Sequence, residues 1–546
     1  MPTGNTPAEG GAADGPARGA ERLNTRAAGV VALAVLCSRV LGLARDQIFF
    51  ALFGGGRIMD AFQIAFRIPN LLRDLFAEGA LSTAFVTTFS KTVATDGEEA
   101  AWRLANKVAT LTTVALSAIT VLGIVFAPWL VEVLAPGFPG EKAALTVTLT
   151  RVMYPFILLV SLAALVMGML NARNVFGVPA MASSFFNLGS IAAGVLLGYW
   201  IDPHFGVRAI LGLAIGTLIG GALQLGVQLP ALRRLGHRFR ADFRWRDPGV
   251  RSILRLMGPS VIAASTTQVN VLVNSVFASQ LGNGPISWLT VAFRLMQLPL
   301  GVFGVALGTV TLPMLSRMAA TGQHGAFRSE LARGMRLAFL MTIPASIGLI
   351  VLAEPIISVL YQHGRFGAHE TAESAGALRF YALGLCGYAA LKVLVNAFYA
   401  IDRRKTPMLV SFVAVAVNLA LNWIFTVRLG WGHRGLALST ACVATSNFLI
   451  LYLLMRSHLG RLESRAMAAL LARVALASLV LLAIAGGGGQ LLLADWAVQP
   501  FWPKLASLTL VIACAAAAFF LCASALGISE VQDLRQAVRR RLRRAR

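Results

Sequence analysis

Residues 38–91 constrain this chain most: the stretch is apolar enough to lie in a membrane, yet it carries Arg39, Arg45, Asp46, Asp60, Arg67, Arg73, Asp74 and Glu78. A charge at the bilayer centre costs roughly 2.5–3.5 kcal/mol on insertion scales, so such residues persist only where they face a partner, water or a charged ligand. The segment therefore specifies a polar interior inside a membrane-embedded chain.

Composition agrees, since 57% hydrophobic residues, 13% charged residues and a mean hydropathy of +0.71 describe a chain whose solvent is mostly lipid. Runs of about 20 apolar residues recur along it and lack the alternation of barrel strands, which predicts an all-α polytopic membrane protein of about fourteen transmembrane helices. Basic residues crowd the N-terminal segment, the connection from Arg233 to Arg246, the triplet Arg403, Arg404, Lys405 and the C-terminal tail, all loops of one parity. The excess of basic loops predicts that both termini of this multi-pass chain are cytoplasmic. A net charge of +24 would also suit nucleic acid, but a phosphate-tracking surface needs a soluble domain and none is expected here, so the charge is assigned to loops beside an anionic leaflet.

Residues 79–91 (GALSTAFVTTFSK) and 305–317 (VALGTVTLPMLSR) match at four positions, each closing on a basic residue, at an offset of 226. Ala65, Phe66 and Arg67 recur as Ala292, Phe293 and Arg294, and Ala163, Ala164 and Leu165 as Ala389, Ala390 and Leu391, at nearly the same offset. The duplication predicts two six-helix lobes in the same orientation, residues 28–232 and 252–456, related by a pseudo-twofold along the membrane normal, with a C-terminal helix pair. Around them are expected a disordered cytoplasmic leader (1–27), a basic cytoplasmic linker (233–251), the helix pair with its flank (457–526) and a basic cytoplasmic tail (527–546). Such repeats rock about a central site, which is transporter architecture.

On an unbroken helix Asp60, Arg67, Asp74 and Glu78 share one stripe, although Pro69 argues against continuity. Internal ion pairing, for instance Asp60 with Arg67, is one reading of the acids. Arg39, Arg45, Arg73, Arg294 and Lys392 exceed the nearby carboxylates, and surplus cations in a cavity want an anion. Arginine's planar fork suits phosphate oxygens, which favours a pyrophosphate. No motif for covalent chemistry stands out: the seven histidines lie at span ends or in loops, and the glycine runs at 54–56 and 486–489 lack the Lys-Ser or Lys-Thr of a Walker loop. No cofactor, metal or ATP is therefore expected, and the five cysteines read as buried free thiols.

The segment SRVLGLARDQIFFALFGGGRIMDAFQIAFRIPNLLRDLFAEGALSTAFV (38–86), RLMQLPLGVFGVALGT (294–309), and Lys392 followed by FYAIDRRKTP (398–407) strongly resemble the MurJ-type (MviN) lipid II flippases of the multidrug/oligosaccharidyl-lipid/polysaccharide exporter superfamily. The resemblance implies a transporter, not an enzyme, that moves undecaprenyl-pyrophosphoryl-MurNAc(pentapeptide)-GlcNAc from the cytoplasmic to the periplasmic leaflet for peptidoglycan synthesis. It implies substrate contacts by Arg39, Arg45, Arg73 and Arg294, and supporting or gating roles for Asp60, Glu78 and Lys392; Asp46 and Arg67 join these as further charges of the same interior. It also implies a groove for the polyprenyl tail on the last two helices. Contacts with the cell-wall synthesis machinery stay open. Where some relatives carry acids around the eighth-helix arginine, this chain has Phe293 and Gln297. Where some carry a sodium site, it offers Asn270, Asn274, Asn418 and Asn422 without a carboxylate, so no tight sodium site is expected.

Three rivals make different demands. A drug or cation antiporter, or a polysaccharide-lipid flippase, of the same superfamily differs in the sign of its cavity. A glycosyltransferase or lipid phosphatase would need a catalytic acid or base in a sizeable loop. A scaffold without transport would tolerate charge reversal of Arg45 or Arg73.

Overall fold

The computed structural model describes residues 16–74, 81–460, 462–493 and 499–532, and among these every regular element is helical. The first part of the chain forms α1 (Pro16–Phe53), α2 (Arg57–Arg73), α3 (Ser82–Asp96), α4 (Glu98–Val125), α5 (Ala127–Leu134), α6 (Gly140–Met153), α7 (Phe156–Ala172), α8 (Gly177–Ile201), α9 (Ile210–Gly226) and α10 (Leu229–Arg234). Beyond a linker come α11 (Pro248–Ser279), α12 (Pro285–Ala320), α13 (His324–Val351), α14 (Ala353–Tyr361), α15 (Ala368–Leu383), α16 (Leu385–Ala400), α17 (Lys405–Asn422), α18 (Gly432–Leu459), α19 (Ser464–Leu492) and α20 (Phe501–Ala525).

Ten helical stretches of the described residues are long and apolar enough to cross a bilayer, or eleven if the pair α15 and α16, bent by 43°, counts as one span. The expected fourteen is therefore not reached by this criterion; α2, for example, is only 17 residues long and carries Arg57, Asp60, Arg67 and Arg73. Three further expectations are corrected. Helix α1 begins at Pro16, inside the segment assigned to a disordered leader: proline suits a first helical turn, and Ala, Arg, Glu and Leu dominate the next two turns. Helix α2 runs through Pro69 without a break. Nor are the thiols buried: Cys514 is exposed and the other four are partly so, because their helices turn apolar faces outward, where a bilayer takes the place of a core.

Close backbone approach organises the first half. Gly212, Gly216 and Gly220 of α9 recur every fourth residue and meet Gly198, Gly194 and Phe186 of α8; a Cβ on Gly216 would stand 2.5 Å from the Gly194 backbone. Between helices in lipid, where hydrophobic driving force is absent, such small-residue seams allow the dispersion contacts that hold them. Helix α8 also packs on α1, and α2 packs on α6, α7 and α12, which sets the charged faces of α1, α2 and α12 around a shared interior. Threonines satisfy their hydroxyls on the carbonyl four residues back, as at Thr110, Thr146, Thr150 and Thr217.

At one end the two halves are fastened by short loops. The Arg365 amide donates to Ala51 O at 2.8 Å, and its guanidinium donates to Phe205 O at 2.5 Å and His204 O at 2.6 Å. Gly137 N donates to Ser279 Oγ at 3.3 Å. The same end carries exposed aromatics, including Trp129, Trp200, Trp431 and Trp502, the belt expected at a membrane–water interface.

A cationic cavity between the halves

Helix α1 presents Arg45 and Asp46 and α12 presents Arg294 to one small cavity of about 40 Å³, lined also by Phe49, Phe50, Phe62, Gln63, Phe66 and Thr217. Asp46 accepts from Arg45 Nε at 3.2 Å and Nη2 at 3.0 Å, and its second oxygen pairs with Arg294. Arg294 also donates to Gly42 O at 3.3 Å, and the Arg45 guanidinium lies 5.4 Å from the centre of the Phe186 ring. Two guanidiniums, one from each half, thus share one carboxylate. One positive charge is left over beside open space with aromatic walls.

Arg73 pairs with Asp74, Nη2 to Oδ1 at 2.8 Å, and Gln268 Nε2 donates to the other Asp74 oxygen at 3.4 Å. It lies within electrostatic reach of Arg45 without joining the Asp46 cluster. Arg39 and Lys392 form a second group: both are exposed, they lie within reach of each other, and Arg39 crosses the bare face of Gly301 on α12. Neither has a carboxylate partner among the described residues. Arg67 also lacks one there and instead donates to Ser275 Oγ at 2.6 Å, tying α2 to α11. Glu78 lies outside the described residues.

The pairing of Asp60 with Arg67 does not occur. Asp60 is fully buried and accepts from Lys142 Nζ at 2.9 Å, Gly284 N at 2.7 Å, Ser287 N at 2.9 Å and Ser287 Oγ at 2.7 Å. Lys142, 1% exposed, donates further to Gly282 O and Asn283 Oδ1 and sits 4.1 Å from the centre of the Phe138 ring. The reason is geometric: α6 packs along α2 and brings Lys142 to the first turn, whereas Arg67 is two turns deeper. Lys142 is the functional candidate that reading the chain missed; its only signal is a lysine near the start of a largely apolar stretch. Three of the four asparagines also resolve into contacts: Asn422 Nδ2 donates to Asn274 Oδ1 at 2.7 Å and Asn418 Oδ1 at 3.1 Å, Asn418 to Ser439, and Asn274 to Thr440. Asn270 has no part in these bonds. Among the described residues, no group of three or more His, Cys, Asp or Glu side chains is placed to hold a metal.

A bundle of membrane-spanning helices whose halves meet at a charged cavity, fastened at one end by loop contacts, has the build of a membrane transporter. A family model described as lipid II flippase MurJ matches residues 49–507, and the chain belongs to that family. The chain is 38% identical over 432 residues to the lipid II flippase MurJ of Burkholderia cenocepacia, covering 78% of this chain and 82% of that protein. It is 35% identical over 519 residues to the probable lipid II flippase MurJ of Rhizobium tropici, covering 93% and 95%. Among solved structures, lipid II flippase MurJ in an inward closed conformation superposes with a TM-score of 0.74 at 25% identity, covering 92% of this chain and 99% of that one. An inward-facing multidrug resistance MATE family transporter of the MOP superfamily shares the fold, with a TM-score of 0.65 at 16% identity over 78% of this chain and 96% of its own.

Proposed function

We propose that this protein is a lipid II flippase that carries the lipid-linked peptidoglycan precursor from the cytoplasmic to the periplasmic leaflet by alternating access. The observation that carries the reading is the convergence of Arg45 and Arg294, from opposite halves, on one carboxylate in an open cavity. A diphosphate offers several oxygens to two planar forks, and charge-assisted bidentate bonds are about twice as strong as neutral ones. Asp46 holds both forks apart and oriented until the diphosphate arrives. Arg73 extends the positive field, and Arg39 with Lys392 lines the approach; Phe49, Phe62 and Phe66 give flat apolar faces for a sugar ring.

The two lobes, residues 28–232 and 252–456, rock against each other, and the Asp60–Lys142 cluster, with Gly284 and Ser287, closes the periplasmic end. In this reading both termini are cytoplasmic, which the arginine-rich loops at the other end support. The lipid chain stays in the bilayer beside α19 and α20, so only the polar head crosses. The membrane potential acts on a moving charge with about 2.3 kcal/mol per 100 mV, enough to reset an empty carrier. The cavity's positive sign also separates this reading from a cation exporter, which needs surplus carboxylate there. The test is binding of lipid II to the purified protein: Arg45→Ala and Arg294→Ala are each expected to weaken it tenfold or more, and undecaprenol without diphosphate is expected not to compete. Equal binding by the wild type and both variants would refute the assignment.

A further inference from the structure

The linker between α10 and α11 is a strap rather than a slack loop. Its residues 237–247 lie along α4 in a fixed course: Arg240 N donates to Asn106 Oδ1 at 3.3 Å, Asp242 N to Thr110 Oγ1 at 3.0 Å, and Lys107 Nζ pairs with Asp247 at 2.6 Å. His237, 6% exposed, packs against Trp102 with ring centres 4.8 Å apart and the planes tilted by 35°. Asp242 is held well below the ordinary carboxylate range, at about 2, by its bonds from the Arg244 side chain and backbone. Anchored inward in this way, the strap turns a row of alternating side chains outward. Arg238, Phe239, Arg240, Phe243, Arg244 and Arg246 are all exposed, with Phe239 at 58% and Phe243 at 64%. Apart from Arg244, none of these arginines has a carboxylate partner among the described residues.

Its height on the helices is informative. Lys107 is the last charge of α4 before an uncharged stretch from 108 to 131, and Arg255 is the last of α11 before one from 256 to 279. Each stretch of 24 residues would span about 36 Å as helix, slightly more than the roughly 30 Å of hydrocarbon in a bilayer. The strap is bonded to Asn106, Lys107 and Thr110, so it lies where hydrocarbon gives way to headgroups. Two exposed phenylalanines among unpaired arginines suit a surface that is apolar below and anionic above. Water offers nothing to the rings, and a plain hydrocarbon face offers nothing to the guanidiniums.

We propose that this strap is a docking site for anionic phospholipid headgroups, with Phe239 and Phe243 seated among the upper acyl chains and Arg238, Arg240 and Arg246 on the phosphates. Held to the leaflet, it keeps the α10–α11 connection at a fixed depth while the helices on either side move. The inference rests on the membrane reading of the chain and not on its cargo, and nanodiscs expose both leaflets, so the test is indifferent to orientation.

The test is hydrogen exchange of residues 236–246 in the full-length protein, reconstituted in phosphatidylglycerol or phosphatidylcholine nanodiscs. One basic residue near an anionic surface contributes a factor of about five, so exchange is expected to be slower in phosphatidylglycerol by roughly tenfold or more, and the difference is expected to shrink in high salt. Arg238→Gln/Arg240→Gln/Arg246→Gln is expected to abolish the difference between the two lipids. Phe239→Ser/Phe243→Ser, which removes no charge, is expected to speed exchange in both, with α4 and α11 unchanged as the control for folding. Equal exchange of the wild type in the two lipids would overturn the proposal. So would full protection by inorganic phosphate in phosphatidylcholine discs, which would mark a free-anion site, or a lipid difference that survives the arginine substitutions.

Discussion

Lys142→Met is the perturbation that most sharply tests how the two halves are held together. Lys142 and Asp60 are both shut off from solvent, their side chains 0% exposed and 2.9 Å apart, so the substitution strands a buried carboxylate. Removing one partner of a buried pair costs about 3–5 kcal/mol. Asp60 keeps three other donors, from Gly284 N and from Ser287 N and Oγ, which places the cost near 3 kcal/mol. That cost falls on the fastened state, because separation of the halves returns Asp60 to water; at 1.36 kcal/mol per tenfold it shifts the opening equilibrium by roughly a hundredfold. The assay is maleimide labelling of Ala278→Cys, a position 2% exposed beside the fastened loops, in purified protein whose five native cysteines are replaced. Labelling is expected to accelerate by about two orders of magnitude with Lys142→Met. With Asp60→Asn/Lys142→Met it is expected to return most of the way, because no charge is then stranded. An unchanged rate in Lys142→Met, or a double variant as fast as the single one, would refute the reasoning.

Other outcomes rest on the same contacts. Gly137→Val puts a side chain where a Cβ alone would stand 2.5 Å from Ser279 O and Gln280 Cα; overpacking of this kind costs about 1–3 kcal/mol, and the same labelling assay should report a more open end. Arg45→Lys and Arg294→Lys keep the charge but lose the fork, so each is expected to weaken lipid II binding about tenfold while leaving thermal stability within a degree or two. Burial against Trp102 holds the His237 imidazole below its ordinary value of 6.5. The unfolded strap then binds more protons, so the stability from neutral His237 is complete above about pH 6.5 and declines as pH falls below it. Exchange of residues 236–246, corrected for its intrinsic rate, should rise below pH 6, and His237→Gln should flatten that dependence.

The membrane class, the helical fold and the transporter reading were legible because hydropathy and intramembrane charge act over whole segments, where lipid leaves a chain few choices. Arg45 and Arg294 could be singled out as costly charges, and the structure brings them to one carboxylate. What could not be read was which acid each cation meets. Asp60 and Arg67 share a helical stripe, yet their partners come from α6 and α11, set by packing between helices far apart in the chain. Lys142 was hidden for the same reason: a lysine near a helix start usually snorkels, and only the crossing of α6 on α2 turns this one inward. The strap's course was equally invisible, since its anchors Asn106 and Thr110 lie more than 130 residues away.

The central claim is that the cationic cavity carries lipid II across the membrane. Its most direct test is to deplete the protein in its host, add from outside an enzyme that cleaves lipid II only in the outer leaflet, and assay the cleavage product. Cleavage is expected to fall on depletion and to return with the wild type but not with Arg45→Ala or Arg294→Ala. Unchanged cleavage after depletion, with total precursor normal, or full rescue by both variants, would contradict the account.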